Sequence, residues 1–314
     1  MPMLLRRFLV LFIWLLYPCG LVAAPRVDLP KGVPDSHICI LSGTNMASAL
    51  LKHDSIEGEF TLETPFGTSP KVYFGESAGV AYYHIPMHGY EGIDPTQPDA
   101  GVNALLRTWW TLYHLGVTEV LGGATAGWIN PAYAMGDWIL PEDFIDWNIE
   151  RPRNIAYRIM GEEAAFILPR VNPAVDPELL AILKQACEAA APEVNTFTGA
   201  VLAQAAGGRF ETPAEIRMMQ LSGCDLVSMS VGSEIAYARQ LGMNYACFVG
   251  IVNPAEGLGP WNWDTLTTLY PSMHKQSVEI YLKALPKIAA LQGQPRVGDE
   301  LRIHPEFDSP EESE

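Results

Sequence analysis

Short apolar runs alternate with stretches of helical periodicity along most of the chain. The candidate strands are continuous hydrophobic runs, typical of strands buried on both faces of a sheet. They cover residues 37–41, 71–74, 80–85, 119–121, 138–140, 199–202, 225–229 and 245–252. Candidate helices, with apolar residues three and four apart, cover 102–115, 177–190, 233–241 and 264–291, and another opens at Thr212. The alternation predicts an α/β fold: a single domain with a mostly parallel, twisted sheet flanked by helices.

Specific residues mark where the helices begin and end. Asp176 is placed to cap the helix that follows it, because its side chain can accept hydrogen bonds from free backbone N–H groups. The segment Thr212–Glu215 combines a cap, a proline at the first helical position and a capping box. Pro271 and Pro286 predict interruptions of the last candidate helix, since proline lacks the N–H that a helix interior needs.

The two ends of the chain differ from its middle. Arg6 and Arg7 precede the apolar run Phe8–Tyr17, and small residues follow at Ala23–Ala24. This pattern predicts a signal peptide over residues 1–24 and an exported, periplasmic or secreted protein. An uncleaved anchor and an ordinary first helix or strand are the alternatives. The main folded domain is expected over residues 25–293, followed by an acidic, Pro-rich and disordered tail over 294–314.

Charge and cysteine content narrow the class of function. The net charge is −16, and no Lys/Arg cluster exists beyond Arg6 and Arg7. Nucleic-acid backbones and anionic membranes both require clustered positive charge, so neither is an expected partner. Small anions remain possible ligands, since backbone amides can bind them. The four cysteines after the leader have no C-x-x-C spacing, which predicts buried free thiols and no metal site.

Small and polar residues follow several predicted strands, where ligands of α/β sheets gather. Ser42–Thr44 would let backbone amides approach a ligand, although an ordinary turn explains it at least as well. Gly122–Gly127, interpreted as a turn of small residues, would also let the backbone approach a ligand. His84 and His88 flank a turn, where a structural role is the commoner one. Glu211 could simply interact with a helix dipole, and Asn253 could brace a loop. Singly, none of these residues identifies a function.

Seven short motifs in register make the pattern specific. They are S-G-T at Ser42, T-P-F-G at Thr64, H-G-Y-E-G at His88, G-V-T-E-V at Gly116, G-W-I-N-P…M-G-D at Gly127–Asp137, A-G-G-R-F-E-T-P-A-E at Ala206 and M-S-V-G-S-E at Met229. Over residues 38–291 the chain resembles the family of trimeric purine nucleoside phosphorylases and methylthioadenosine (methylthioinosine) phosphorylases. The resemblance implies a homotrimer that cleaves purine nucleosides with inorganic phosphate as co-substrate and no other cofactor.

The resemblance assigns roles to individual positions. It places phosphate at Thr44, His88, Thr125 and Ser230, and the sugar at Tyr90, Met229 and His274. The position of His274 is affected by residues 257–263, which resemble an insertion. It places the purine base at Phe210, Glu211 and Asn253. Asn253 and His88 are the expected catalytic residues.

The two side chains placed at the base, Glu211 and Asn253, predict which purine is bound. Asn253 can donate to N7 and O6 of a 6-oxopurine, and an ionised Glu211 can accept from N1–H. Members acting on adenine usually carry Asp at the Asn253 position. Because a site that hydrogen-bonds one edge rejects another strongly, inosine-, guanosine- or methylthioinosine-like substrates are expected.

The phosphate side departs from the family. Its members carry an arginine shortly before the His88 position, where this chain has Ile85, Pro86 and Met87, and Ala124 replaces a polar residue. Arg209 could supply the charge only if its loop differed from the family's. Losing a charge-assisted contact weakens anion binding. Two alternatives therefore stand beside a phosphorylase: a phosphate-independent nucleoside hydrolase and a non-catalytic purine- or nucleoside-binding protein on the same scaffold.

Overall fold

A computed structural model describes residues 26–43, 48–86, 100–147, 152, 154–161, 164 and 168–299. The strands are β1 (Ile38–Ser42), β2 (Ile56–Phe60), β3 (Glu63–Thr64), β4 (Gly67–Thr68), β5 (Val72–Ser77), β6 (Val80–Pro86), β7 (Glu119–Trp128), β8 (Trp138–Asp146), β9 (Thr196–Gln204), β10 (Leu226–Ser228) and β11 (Asn244–Pro254). The helices are α1 (Ala100–His114), α2 (Ala156–Met160), α3 (Pro177–Ala190), α4 (Pro213–Leu221), α5 (Val231–Gln240) and α6 (Trp263–Ala289). The predicted leader, residues 1–24, lies outside the described residues.

One half of the main sheet closes on itself. The nine strands follow the order β10-β9-β8-β11-β7-β1-β6-β5-β2, and β10 also pairs with β7. Strands β7, β11, β8, β9 and β10 therefore form a ring, from which β1, β6, β5 and β2 extend as an open arm. Parallel pairing runs through β6, β1, β7 and β11, while β5 and β2 add antiparallel edges. The predicted α/β class is confirmed, with antiparallel strands at the arm's edge and two antiparallel joints in the ring.

The small-residue stretch Gly122–Gly127 is strand, so its interpretation as a turn is wrong. It continues β7 to Trp128, parallel to β11 along its whole length. Small residues are needed in this stretch because neighbouring side chains pack closely against it. A Cβ on Gly122 would lie 2.0 Å from the hydroxyl of Tyr245. Strands β8 and β9 likewise extend beyond the predicted 138–140 and 199–202, and β2, β3 and β4 were not predicted.

Local capping signals predicted the helix starts correctly. The Asp176 side chain accepts hydrogen bonds from the N–H groups of Glu178 and Leu179. Thr212 and Glu215 form the reciprocal bonds of a capping box at the start of α4. The predicted interruptions of the last helix are wrong, because α6 runs through both prolines. Its buried face, which includes Tyr281 and Leu285, stabilises the helix enough to offset the lost backbone hydrogen bonds.

The predicted disordered tail begins too early. Arg296 is buried and forms ion pairs with Asp176, at the start of α3, and with Glu119, at the start of β7. The N–H of Gly298 donates to the Asn244 side chain at 2.6 Å, joining the chain end to β11. Residues 296–298 are thus packed against the fold, while residues 300–314 lie outside the described part.

Other expectations concern thiols, membranes and metals. Cys39, Cys187, Cys224 and Cys247 are buried and free, as predicted, and burial raises the pKa of each thiol. Among the described helices, none combines the length and apolarity needed to cross a membrane. Within the same residues, no group of three or more His, Cys, Asp or Glu side chains is arranged to hold a metal ion.

Candidate active site

A cavity of about 270 Å³ opens beside the ring of strands, between the ends of β7, β10 and β11 and the first turns of α6. Its wall contains Gly43, Ala124, Thr125, Ala126, Gly127, Phe210, Glu211, Val227, Ser228, Met229, Ser230, Val252, Asn253, Trp261, Trp263, Leu266 and Tyr270. Six predicted site residues, Thr125, Phe210, Glu211, Met229, Ser230 and Asn253, therefore surround one space.

The loop between β9 and α4 supplies two of the predicted base-binding residues. Gly207 and Gly208 both have positive φ, a conformation that glycine adopts without strain, and they turn the chain back toward the cavity. Phe210 then presents a half-exposed ring, 43% accessible, whereas Glu211 is only 7% accessible. The capping box of α4 follows immediately and anchors the end of the loop.

Asn253 reaches the cavity because β11 is irregular there. The pairing of β11 with β7 shifts register between Ile251 and Asn253. Neighbouring residues of a regular strand face opposite sides of the sheet, yet Val252 and Asn253 both line the cavity. One amide hydrogen of Asn253 is donated to the Pro254 carbonyl at 2.7 Å. A side-chain amide has two donors and an acceptor, so Asn253 retains a donor and its carbonyl oxygen for a ligand.

Burial changes the acidity of the cavity's carboxyl group. Desolvation raises the pKa of Glu211 above its ordinary value of 4.5, and the nearby carboxylates of Glu215 and Glu256 raise it further. A carboxylate with little access to water gains strongly from a ligand N–H. Glu211 is therefore suited to accept a hydrogen bond from a ring N–H of a base.

Hydroxyl groups and backbone line the opposite part of the cavity. Gly43 follows β1, and its N–H donates to the Gly123 carbonyl at 2.6 Å. The Ser230 hydroxyl is buried at the start of α5 and has no hydrogen-bond partner among the residues that the structure describes. The Ser228 hydroxyl donates to the Thr125 carbonyl at 3.0 Å. An unpartnered buried hydroxyl beside a helix N-terminus is suited to an anionic oxygen.

This part of the wall is neutral. None of the lining residues in the described chain is Lys or Arg. Arg209 does not fill the gap, because its guanidinium binds both carboxylate oxygens of Glu215, at 2.8 and 2.9 Å, and donates to the Phe210 carbonyl. Arg209 thus supports the loop that carries Phe210 and Glu211, and it is not part of the described cavity wall.

Other predicted residues are placed differently. Tyr270, which was not predicted, lines the cavity, and His274 stacks behind it with ring centroids 5.6 Å apart. The sugar-binding role of His274 stays a prediction. Thr44, His88 and Tyr90 lie outside the described residues, so their roles also stay predictions.

His84 contacts the last residue of β1. Its Nε2 lies 2.7 Å from the Ser42 hydroxyl, one residue before Gly43. Burial lowers the pKa of His84 to about 3, so its ring is neutral near pH 7. The commoner structural interpretation of a lone histidine fits His84.

Sequence reasoning missed the residues that α6 and its preceding loop contribute. Trp261, Trp263, Leu266 and Tyr270 all line the cavity. The available signal was the pair of tryptophans separated by one residue, next to a segment regarded only as an insertion. Residues 263, 266 and 270 lie on one face of a helix, which explains how α6 forms a continuous wall.

Comparisons with known proteins identify the family. The family model described as Phosphorylase superfamily matches residues 37–289. A probable 6-oxopurine nucleoside phosphorylase of Moorella thermoacetica is 31% identical, over 73% of this chain and 85% of its own length. A probable S-methyl-5'-thioinosine phosphorylase of Pseudomonas syringae is 30% identical, over 69% and 85%. A crystal structure of a methylthioadenosine phosphorylase from an antarctic soil metagenomic library has a TM-score of 0.72 at 18% identity, covering 84% of this chain and 90% of that one. The chain belongs to the phosphorylase superfamily, which confirms the predicted resemblance.

Proposed function

We propose that this member of the phosphorylase superfamily cleaves the N-glycosidic bond of 6-oxopurine nucleosides by phosphorolysis. Inosine, guanosine and methylthioinosine carry the matching base edge. A phosphate oxygen bonds to C1′ of the sugar while the C1′–N9 bond breaks. The electron pair of the broken bond leaves with the purine. The products are the free base and a sugar 1-phosphate. The similar proteins described as 6-oxopurine and S-methyl-5'-thioinosine phosphorylases support this activity.

The convergence of Glu211 and Asn253 on one cavity carries the proposal. Both side chains are more than nine-tenths buried, so each gains from a ligand partner that replaces lost water. Ionised Glu211 accepts from N1–H, and the N–H that Asn253 retains donates to the edge formed by O6 and N7, where negative charge develops as the base departs. Stabilising that charge lowers the barrier to bond cleavage. Phe210 provides the stacking surface.

The phosphate requirement provides the decisive test. Purified protein is incubated with inosine, with and without inorganic phosphate, and hypoxanthine, ribose 1-phosphate and ribose are measured. We expect hypoxanthine and ribose 1-phosphate to form in equal amounts, and only when phosphate is present. Release of free ribose at an equal rate without phosphate would overturn the proposal.

The neutral phosphate side supports a nucleoside hydrolase as the second candidate. The described lining has no cationic side chain, and residues 44–47 and 87–99 contain neither Lys nor Arg. Water needs no cationic site, so a hydrolase tolerates this wall. The same assay separates the candidates, and tight nucleoside binding without turnover in either condition would favour the non-catalytic alternative.

We further propose that residues 1–24 direct export and that the enzyme is a homotrimer. The basic start and apolar run support export, and the family resemblance supports the trimer. N-terminal sequencing of the mature protein tests export, and an intact Met1 would contradict it. Light scattering after size-exclusion chromatography tests the trimer, and a monomeric mass would contradict it.

A further inference from the structure

Three aromatic side chains meet at the mouth of the cavity. The ring centroids of Phe210 and Trp261 are 5.3 Å apart, those of Trp261 and Trp263 are 5.4 Å apart, and those of Phe210 and Trp263 are 6.4 Å apart. Each ring is inclined to the other two, by 55° to 72°. We call these three residues the aromatic cluster, and all of them line the cavity.

Polar bonds and one close contact position the cluster. The Trp261 indole N–H donates to the Glu256 carboxylate at 3.1 Å. Asn262, between the two tryptophans, caps α6 by accepting a hydrogen bond from the Thr265 N–H. Gly257 approaches Pro213 so closely that an added Cβ would lie 2.8 Å from its side chain. The tryptophan segment is therefore docked on the helix that follows Phe210.

Part of the apolar surface of the cluster is exposed to water. Trp263 is 65% accessible and Phe210 is 43% accessible. Exposed aromatic surface is unfavourable unless something covers it. Where such surface lines a concave site, it is typical of a surface that a planar ligand covers.

We propose that Trp261 and Trp263 are specificity-determining residues that extend the base subsite beyond Phe210 and favour two-ring over one-ring bases. The inference rests on the proposed function for the position of the base against Glu211 and Asn253. A base stacked on Phe210 meets inclined indole rings at its edge, an arrangement that aromatic quadrupoles favour. A fused purine covers more of the cluster than a pyrimidine, so it gains more from the two tryptophans.

Binding of free bases in the absence of phosphate tests the inference without requiring turnover. Calorimetry measures the dissociation constants of hypoxanthine and uracil for the full-length protein. In wild type we expect hypoxanthine to bind about tenfold or more tightly than uracil. In Trp261→Ala and Trp263→Ala, hypoxanthine affinity should fall by about tenfold while uracil affinity changes less. Trp263→Phe keeps an aromatic ring and should restore most of the lost affinity.

Two controls separate this effect from a loss of folding. Leu221→Ala shortens an apolar side chain that is 91% exposed and lies outside the cavity wall, so hypoxanthine affinity should not change. Circular dichroism checks that every variant is folded.

The two proposals fail in different ways. Unchanged hypoxanthine affinity in both folded alanine variants, or no hypoxanthine binding by wild type, would overturn the role of the tryptophans. Wild-type base binding that depends on the tryptophans, without any nucleoside cleavage, would overturn the enzymatic function and leave the inference standing.

Discussion

The two sides of the cavity, one proposed for the base and the other for phosphate, offer different physical means of holding a ligand. On the base side, Glu211 brings a buried carboxylate, Asn253 brings a buried amide, and the aromatic cluster brings stacking surface. On the phosphate side, the described wall offers Gly43 and the hydroxyls of Thr125, Ser228 and Ser230. The carboxylate lies where a neutral base would bind, and no described cation lies where an anion would bind.

This difference indicates that recognition of the base and binding of the anion would depend on different parts of the cavity wall. A buried charged acceptor discriminates between base edges, because the wrong edge leaves it without a partner. Neutral hydroxyls and a helix N-terminus can bind an anion, although less strongly than a guanidinium does. Substitutions on the base side should therefore reduce activity strongly, whereas an added cation on the phosphate side should increase the affinity for phosphate.

Removing the charge of Glu211 should cause the largest loss. We expect Glu211→Gln to lower kcat/KM for inosine by about 10²- to 10³-fold, because an amide accepts more weakly from N1–H in a buried site. Steady-state kinetics measures the effect. Glu142→Gln, at an exposed position of β8, is the matched control and should behave as wild type. A loss of less than about threefold, small against a charged hydrogen bond, would mean that Glu211 does not contact the base.

Changing the amide of Asn253 should shift the preferred base. In Asn253→Asp we expect the ratio of kcat/KM for inosine to that for adenosine to fall by about 10²-fold, because a carboxyl group can accept from a 6-amino group. Assays with both nucleosides give the ratio. Asn262→Asp is the control, since aspartate caps α6 as well as asparagine does. An unchanged ratio in Asn253→Asp would show that this side chain does not read the base.

Adding charge should improve the phosphate side. Pro86 pairs with Ser42 across the ends of β6 and β1, next to Gly43. We expect Pro86→Arg to lower the KM for phosphate by about tenfold, since a charged hydrogen bond contributes roughly 1.5–3 kcal/mol. Leu221→Arg adds the same charge away from the cavity and controls for net charge. If both variants leave the KM for phosphate unchanged, phosphate does not bind beside these strand ends.

Acid should reduce activity through Glu211. Its pKa is raised by burial, so the ionised form that accepts from N1–H is lost as pH falls through this raised pKa. We expect kcat/KM for inosine to fall about tenfold per pH unit below it, beginning above pH 4.5. A profile measured for Glu211→Gln should lack this limb. An identical limb in that variant would assign it to another group.

The contribution of Glu211 to folding stability should change with pH in the opposite direction to its contribution to activity. A carboxyl group whose folded pKa is raised favours folding below its unfolded pKa, and that contribution is lost as pH rises through the folded pKa. Urea unfolding at several pH values should therefore show Glu211→Gln gaining stability relative to wild type as pH increases.

The smallest expected effect concerns the end of the base-side loop. Thr212→Ala removes a cap that accepts from the Glu215 N–H, and we expect the free energy of unfolding to fall by about 1 kcal/mol. Thr212→Ser retains the hydroxyl and should restore most of it. Urea denaturation measures both variants. Equal stability of alanine and threonine would show that the capping box contributes nothing.

Features set by neighbouring residues could be predicted from the sequence, whereas features set by distant contacts could not. Asp176 and Thr212 predict the starts of their helices because a cap depends only on residues that are neighbours in the sequence. Residues 122–127 gave no such signal, since their strand depends on packing against Tyr245, more than a hundred residues away. The pairing of β10 with β7, which closes the ring, is equally non-local.

The same division holds for the site. Phe210 and Glu211 were predicted because they stand in a recognisable motif. Asn253 was predicted because it lies at the end of an apolar strand and matches a family position. All three line the cavity. The places of Trp261 and Trp263 in the cavity wall depend on how their loop docks on Pro213, which no motif encodes. Arg209 could be named as a candidate cation, but only its geometry reveals that Glu215 already binds it.

Closure of the ring has a mechanical consequence. Asn253 on β11 and Thr125 on β7 belong to strands bonded along their length, and Ser228 on β10 is tied to the same β7. A closed circuit of strands cannot slide at one seam without breaking hydrogen bonds at another. A base and an attacking group bound as proposed would therefore be held on a frame of fixed dimensions, and any opening that admits substrate would come from the loops and α6 that line the cavity.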